Sequence, residues 1–98
     1  MREIHVVIFH RPGTRWDHAL PMLEQPGLQD HVDHYRSLRE RGLMRLGGPF
    51  MDADSGGMMV AKPALTMAEA QAIALADPCV QSGLLVAELR PWHLAMND

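Results

Sequence analysis

The sequence predicts an α+β domain whose elements run β-α-β-β-α-β, the ferredoxin-like split motif, with two helices on one face of a four-stranded antiparallel sheet. Three observations predict it. Apolar runs suited to strands open and close the chain at Ile4–Phe9 and Leu84–Leu89. Two stretches of helical period, each ended by a stop signal, lie between them at Leu28–Arg41 and Thr66–Ala76. Between those helices, Leu43–Pro49 and Met58–Ala61 flank the polar turn Met51–Gly57, the pattern of a hairpin.

The first strand, IHVVIF, is bounded by charge on one side and by Arg11-Pro12-Gly13 on the other. Ile4, Val6 and Ile8 face one way and His5, Val7 and Phe9 the other, so the strand is expected to be covered on both sides. Arg11–Gln29 follows, broken by Pro12, Pro21, Pro26 and Gly27. Within it Trp16, Leu20 and Leu23 are expected to form one helical turn that packs as a lid. The first helix has Asp30 and Asp33 near its positive end, Arg39 and Arg41 near its negative end, and Gly42 as its stop. The second begins at the capping box Thr66-Met67-Ala68-Glu69 and stops at Asp77-Pro78, because a residue before proline is pushed away from helical angles. A short turn through Val80 and Gly83 leads to the last strand, and Arg90-Pro91-Trp92 closes the domain, a single unit over residues 1–98.

Two polar residues sit where apolar ones belong. With His31 at zero on a helical wheel, Leu28 falls at about 60°, Tyr35 at about 40° and Leu38 at about −20°, so His31 occupies the middle of the buried face. On the second helix Asp77 falls about 40° from Ile73, on the stripe that meets the sheet, and at a C-terminus where the macrodipole disfavours a carboxylate. The topology runs the two helices antiparallel, which places the start of one beside the end of the other. His31 and Asp77 are therefore expected to meet near the strand ends where Gly47-Gly48-Pro49 arrives, and the missing side chains of Gly47 and Gly48 leave room for a ligand. A carboxylate beside an imidazole orients the ring and stabilises its cation, which makes a general acid or base. The same pair can instead be structural, tying two helix ends together. Tyr35, one turn after His31, lines the pocket or belongs to the core.

The composition bounds the function classes. A hydrophobic fraction of 47% and a charged fraction of 21% are those of an ordinary globular domain. A net charge of −3, with no basic run, argues against nucleic acid. One cysteine, Cys79, excludes an intrachain disulfide or a cysteine-rich metal site, points to a reducing cytoplasm, and reads as a small buried residue. The apolar run in MREIHVVIFHR is too short for a signal peptide or a membrane span. His31 and His34, an i, i+3 pair near Asp30 and His18, lack the converging third ligand of a zinc site, and Asp52 and Asp54 lack calcium-loop spacing, so no metal is expected. His5, His10, His18 and His93 read as surface or interface histidines, and the eight methionines as filler of core and dimer interface.

These residues in this order resemble the YCII-related (YciI-like) family of the dimeric α+β barrel superfamily. The resemblance rests on His31, Gly47-Gly48-Pro49-Phe50, Gly56-Gly57-Met58, Thr66-x-x-Glu69-Ala70, Ala76-Asp77-Pro78, Gly83 and Arg90-Pro91-Trp92. It implies a dimer with a cleft, a proposed dyad at His31 and Asp77, and no obligatory cofactor. Relatives in that superfamily isomerise muconolactone or eliminate chloride from hydroxylated rings. The segment Arg11–Gln29 departs from the pattern. The expectation is thus a small-molecule enzyme performing isomerisation or elimination on a small ring compound or lactone. His31 and Asp77 are its catalytic residues and Tyr35, Gly48 and Pro49 bind the substrate. A non-catalytic ligand-binding or structural dimer is the alternative. The helices cover one sheet face only, so a second copy of the chain is expected on the other.

Overall fold

The computed structural model describes residues 3–97. Its elements are β1 (Ile4–Pro12), a 3-10 turn (Met22–Glu24), α1 (Leu28–Glu40), β2 (Met44–Pro49), β3 (Gly57–Ala61), α2 (Met67–Ala76), α3 (Pro78–Ser82) and β4 (Leu85–His93). The sheet order is β2-β3-β1-β4 with every pairing antiparallel, as the split motif requires. Alternation along β1 sends Val6 and Ile8 to the helices, where they join Ala61 of β3, Tyr35 and Leu38 of α1, and Ala70 and Ala74 of α2 in one core. A smaller cluster of Trp16, Cys79, Leu84 and Leu85 closes one end of the domain.

The helix signals act as their chemistry requires. Gly42 follows α1 at φ 78°, the left-handed angle that stops a helix. Thr66 Oγ1 accepts from the Glu69 amide while the Glu69 carboxylate accepts from the Thr66 amide, so the capping box is closed on both sides. Between β2 and β3 the chain passes Gly56 at φ 80°, and a Cβ there would lie 2.2 Å from the His10 carbonyl oxygen. Only glycine lets the hairpin lie that close to β1.

Four expectations change. The first and last strands are both longer than their apolar runs: β1 continues through His10 and Arg11 to Pro12, paired throughout with β4, which itself continues through Arg90-Pro91-Trp92 to His93. Pro12 is tolerated because it is the last residue of the strand. The stretch after Asp77, read as a turn, is the short helix α3, with Asp77 as its N-cap, Pro78 at its first position and Gly83 at its end. The lid turn is Met22–Glu24 instead of Trp16–Leu23: Trp16 is buried, but Leu20 is partly exposed and Leu23 is 90% exposed. Buried Gln25 organises this segment, accepting from the Asp17 amide and donating to the carbonyls of Asp17 and Leu20. Lastly, two of the four histidines read as surface or interface residues are core residues, with His5 at 0% and His10 at 3% exposure. His5 is covered by Trp92 and Arg45 and donates Nδ1–H to the Ala61 carbonyl; His10 is drawn inside by the extension of β1.

Candidate functional site

Three elements converge at the end of the sheet where α1 begins and α2 ends. Asp77 is pushed out of helical geometry by Pro78, to φ −63° and ψ 120°, and this turns its side chain back over the start of α3. One carboxylate oxygen, Oδ1, accepts from the Cys79 amide at 2.9 Å. The other, Oδ2, accepts from His31 Nδ1 at 2.5 Å, and Asp77 is fully buried. Its position at a helix C-terminus is thus only half of its environment, because it also caps the N-terminus of α3. Burial is the largest influence on this carboxyl and by itself would raise its pKa. The hydrogen bonds from His31 and Cys79, with the charges of His31 and His10, outweigh burial and hold the group below its ordinary value.

His10 and Tyr35 complete the cluster. His10 shares its face of β1 with Val6 and Ile8, and its Nε2 lies 3.8 Å from Asp77 Oδ2 and 3.3 Å from the Tyr35 hydroxyl. The His10 ring meets His31 at 4.7 Å and Tyr35 at 5.2 Å, both edge to face. Burial, then the neighbouring His31 charge, lowers the His10 pKa to about 4 against a smaller opposing effect of Asp77, so its ring is neutral at ordinary pH. A neutral Nε2 accepts the Tyr35 O–H. Burial first, and the Asp77 charge second, push the Tyr35 pKa upward, so that hydroxyl remains a donor. The sequence held a signal for His10: carrying the alternation of β1 two residues beyond Ile8 puts it on the helix face.

A cavity of about 520 Å³ lies against this cluster. Its wall includes His10, His31 and Tyr35, with Gly47, Gly48 and Pro49 from β2, and Asp77 stays behind His31 outside it. Because Nδ1 of His31 is held by Asp77, Nε2 is the ring nitrogen left for a ligand. The two glycines differ. A Cβ at Gly48 meets nothing within 4 Å, whereas one at Gly47 would strike the Met59 sulfur. Met22, Met44, Met58 and Met59 contribute to the apolar surface of the cavity, so these methionines line a pocket as well as filling the core. Trp16 and Met22 place the Arg11–Gln29 segment in the wall.

His10, His31 and Asp77 are also the set that could hold a metal, their ligand atoms lying within 4.8 Å of one another. Two of those atoms, His31 Nδ1 and Asp77 Oδ2, already share a proton, which a metal would have to displace. His34 takes no part: its Nε2 donates to the Ile73 carbonyl at 2.8 Å and ties α1 to α2. Cys79 is buried, its thiol donating to the Gly27 carbonyl, and its pKa is raised by burial and by Asp77. Among the described residues, no helix is long and apolar enough to cross a membrane.

With this fold and site in view, comparison with known proteins defines the class. The profile of the YCII-related domain matches residues 6–93, and the chain belongs to that family. Its fold is that of 5-chloro-2-hydroxyhydroquinone dehydrochlorinase (TftG) from Burkholderia phenoliruptrix AC1100, solved in complex with 2,5-dihydroxybenzoquinone. The match has a TM-score of 0.57 at 18% identity and covers 89% of this chain and 92% of that one. No curated protein matches the chain by sequence.

Proposed function

We propose that this protein is a cofactor-independent small-molecule enzyme in which His31 moves a proton and Asp77 orients it, for isomerisation or elimination on a small ring compound or lactone. The observation that carries this reading is the division of labour across the His31 ring: Nδ1 is bonded to a sealed carboxylate while the residue itself lines a cavity. In the neutral ring, Nε2 has a lone pair that removes a proton from a carbon next to a carbonyl, and Asp77 stabilises the imidazolium formed. Tyr35, kept as a phenol, turns its O–H from His10 Nε2 to the oxygen on which charge develops once a substrate is bound. In an isomerisation the proton returns to a different carbon. In an elimination the electrons of the broken C–H bond form the new double bond, the leaving group departs with its own pair, and the proton passes to water. The dehydrochlorinase with this fold is named for such an elimination on a hydroxylated ring. Gly48 and Pro49 form the wall against which the ring lies.

The test is a screen of ring acids and lactones against the wild type and His31→Ala. Loss of about 10²–10⁴-fold in kcat with the fold retained supports the reading; an active His31→Ala overturns it.

A second reading, a structural pair at the wall of a ligand-binding or empty cleft, is favoured by one observation: Asp77 is fully buried and spends its other oxygen on capping α3. On that reading His31→Ala and Asp77→Ala change stability, and ligands bind unaltered. The proposal includes a homodimer through the sheet face opposite the helices, where Val86 and Trp92 are 38% and 43% exposed. Sedimentation equilibrium reading a monomer at micromolar concentration would remove that part.

A further inference from the structure

The cavity has a charge opposite to that of the protein. The chain has twelve acidic residues against nine lysines and arginines. Yet Arg36, Arg39 and Arg45 all line the cavity, and no aspartate or glutamate does. Arg36 and Arg39 lie three residues apart on α1, so their side chains leave the helix on neighbouring lines one turn apart. Their acidic neighbours on the helix do not neutralise them: among the described residues neither arginine has a carboxylate within 4 Å, and Asp33 accepts from Gln29 instead. Arg45, on β2, differs in sharing its guanidinium with Glu3 at 3.0 Å.

Unpaired guanidinium groups at the rim of a largely apolar cavity create a local positive potential, and low-dielectric walls strengthen it. A guanidinium presents a planar fork of donors that matches a carboxylate with two parallel hydrogen bonds. Met44, Met58 and Met59 add a polarizable apolar surface to the same lining, which also includes His31 and Tyr35. The lining therefore combines exposed cations, an apolar surface and a proton-transfer group.

We infer that the cavity selects a small organic acid: a ring-sized apolar body carrying a carboxylate, which Arg36 and Arg39 hold while the carbon skeleton lies along the methionines toward His31. This specifies the substrate class of the reaction proposed above and rests on that reading for turnover, but not for binding. The anion also adds a long-range attraction that raises the rate of encounter at low salt.

The experiment is calorimetric titration of the full chain with matched acids and amides: benzoate and benzamide, 4-hydroxybenzoate and 4-hydroxybenzamide, cyclohexanecarboxylate and its amide. Each is run at low salt and in 0.5 M sodium chloride. The expected result is at least tenfold tighter binding of the acid in a pair, an advantage that shrinks in high salt and disappears in the double variant Arg36→Gln/Arg39→Gln. Both arginines are exposed, and a thermal unfolding curve verifies that the double variant is folded. Inorganic phosphate serves as the competing anion; if it displaces the acids at equal concentration, the site reads charge alone and the inference for a carboxylate fails. Equal binding of acids and amides, no binding of either, or a preference that survives the double variant would also overturn it. The variant His31→Asn keeps the acid preference, so a failure of the proton-transfer chemistry is read separately from a failure of anion selection.

Discussion

The two long helices lie on the same face of one sheet and do opposite work. α2 presents Ala70 and Ala74 to the sheet, at 0% and 1% exposure, and contributes no residue to the cavity. Side chains that small let a helix settle close against the strands and leave no space beneath it. α1 presents His31, Tyr35 and Leu38 on its buried face, and Leu28, His31, Val32, Tyr35, Arg36 and Arg39 to the cavity. The cavity is walled by that helix together with β2 and β3. One helix supplies packing and the other walls the cavity. They are joined where Asp77, at the end of α2, grips His31, at the start of α1.

Breaking that joint has the largest expected effect. Asp77→Ala leaves a buried histidine without its partner and removes the cap of α3, and the loss of stability is expected to be about 4 kcal/mol, read as a fall in the urea midpoint. Asp77→Asn, which keeps the size and can keep the cap, is expected to cost less. A double-mutant cycle with His31→Ala should return a coupling of about 1–3 kcal/mol. A coupling near zero would mean that the two helices are held by packing alone.

The next effect is a pH dependence of stability that comes from the buried cluster beside the cavity. Folded His10 has a pKa of about 4 against an ordinary 6.5, so the unfolded chain takes up a proton at a pH where the folded chain resists it. The contribution of neutral His10 is complete above pH 6.5 and is lost as pH falls toward 4, for about 3 kcal/mol over the whole interval. Asp77, whose pKa is lowered, has the same sign but a lower window: its contribution is present above the ordinary carboxyl value and is lost only as pH falls through its depressed one. Stability curves at pH 7.5 and 4.5 for the wild type and His10→Gln check this. The variant should flatten the slope between the two, and an unchanged slope would place the titration elsewhere.

How much of this the sequence revealed depends on whether a signal was local. The order of elements followed from periodicity, and both helix ends followed from Gly42 and the Thr66–Glu69 box, because stops and caps act within a turn. The meeting of His31 and Asp77 could be read because two amphipathic stripes and one topology decide it. His10 was missed because the strand was ended at the apolar run, while the pairing of β1 with β4 carries it three residues further. Pairing with β4 keeps the polar His10 and Arg11 in the strand, which stops only at the break Pro12-Gly13. His5 was missed for a related reason: its cover comes from Trp92 and Arg45, far away in sequence. The Arg11–Gln29 segment was unreadable because one buried side chain, Gln25, holds it through bonds to Asp17 and Leu20 that no period announces.

The smallest effects sharpen the contrast most, because one substitution of similar size should behave differently on the two sides. Ala74→Leu forces three extra carbons between α2 and the sheet, where Ala74 is 1% exposed, and overpacking of this kind is expected to cost about 1–3 kcal/mol. Val32→Phe adds four carbons on the α1 side, where Val32 is half-buried and lines the cavity. Its stability is expected to stay within about 0.5 kcal/mol of the wild type. Its consequence lies in the cavity: the larger side chain takes up ligand space, so binding of a ring acid should fall at least tenfold while Ala74→Leu leaves it unchanged. If Val32→Phe instead destabilises the fold as much as Ala74→Leu, the space beside α1 is packed in solution and the two helices do not differ as described.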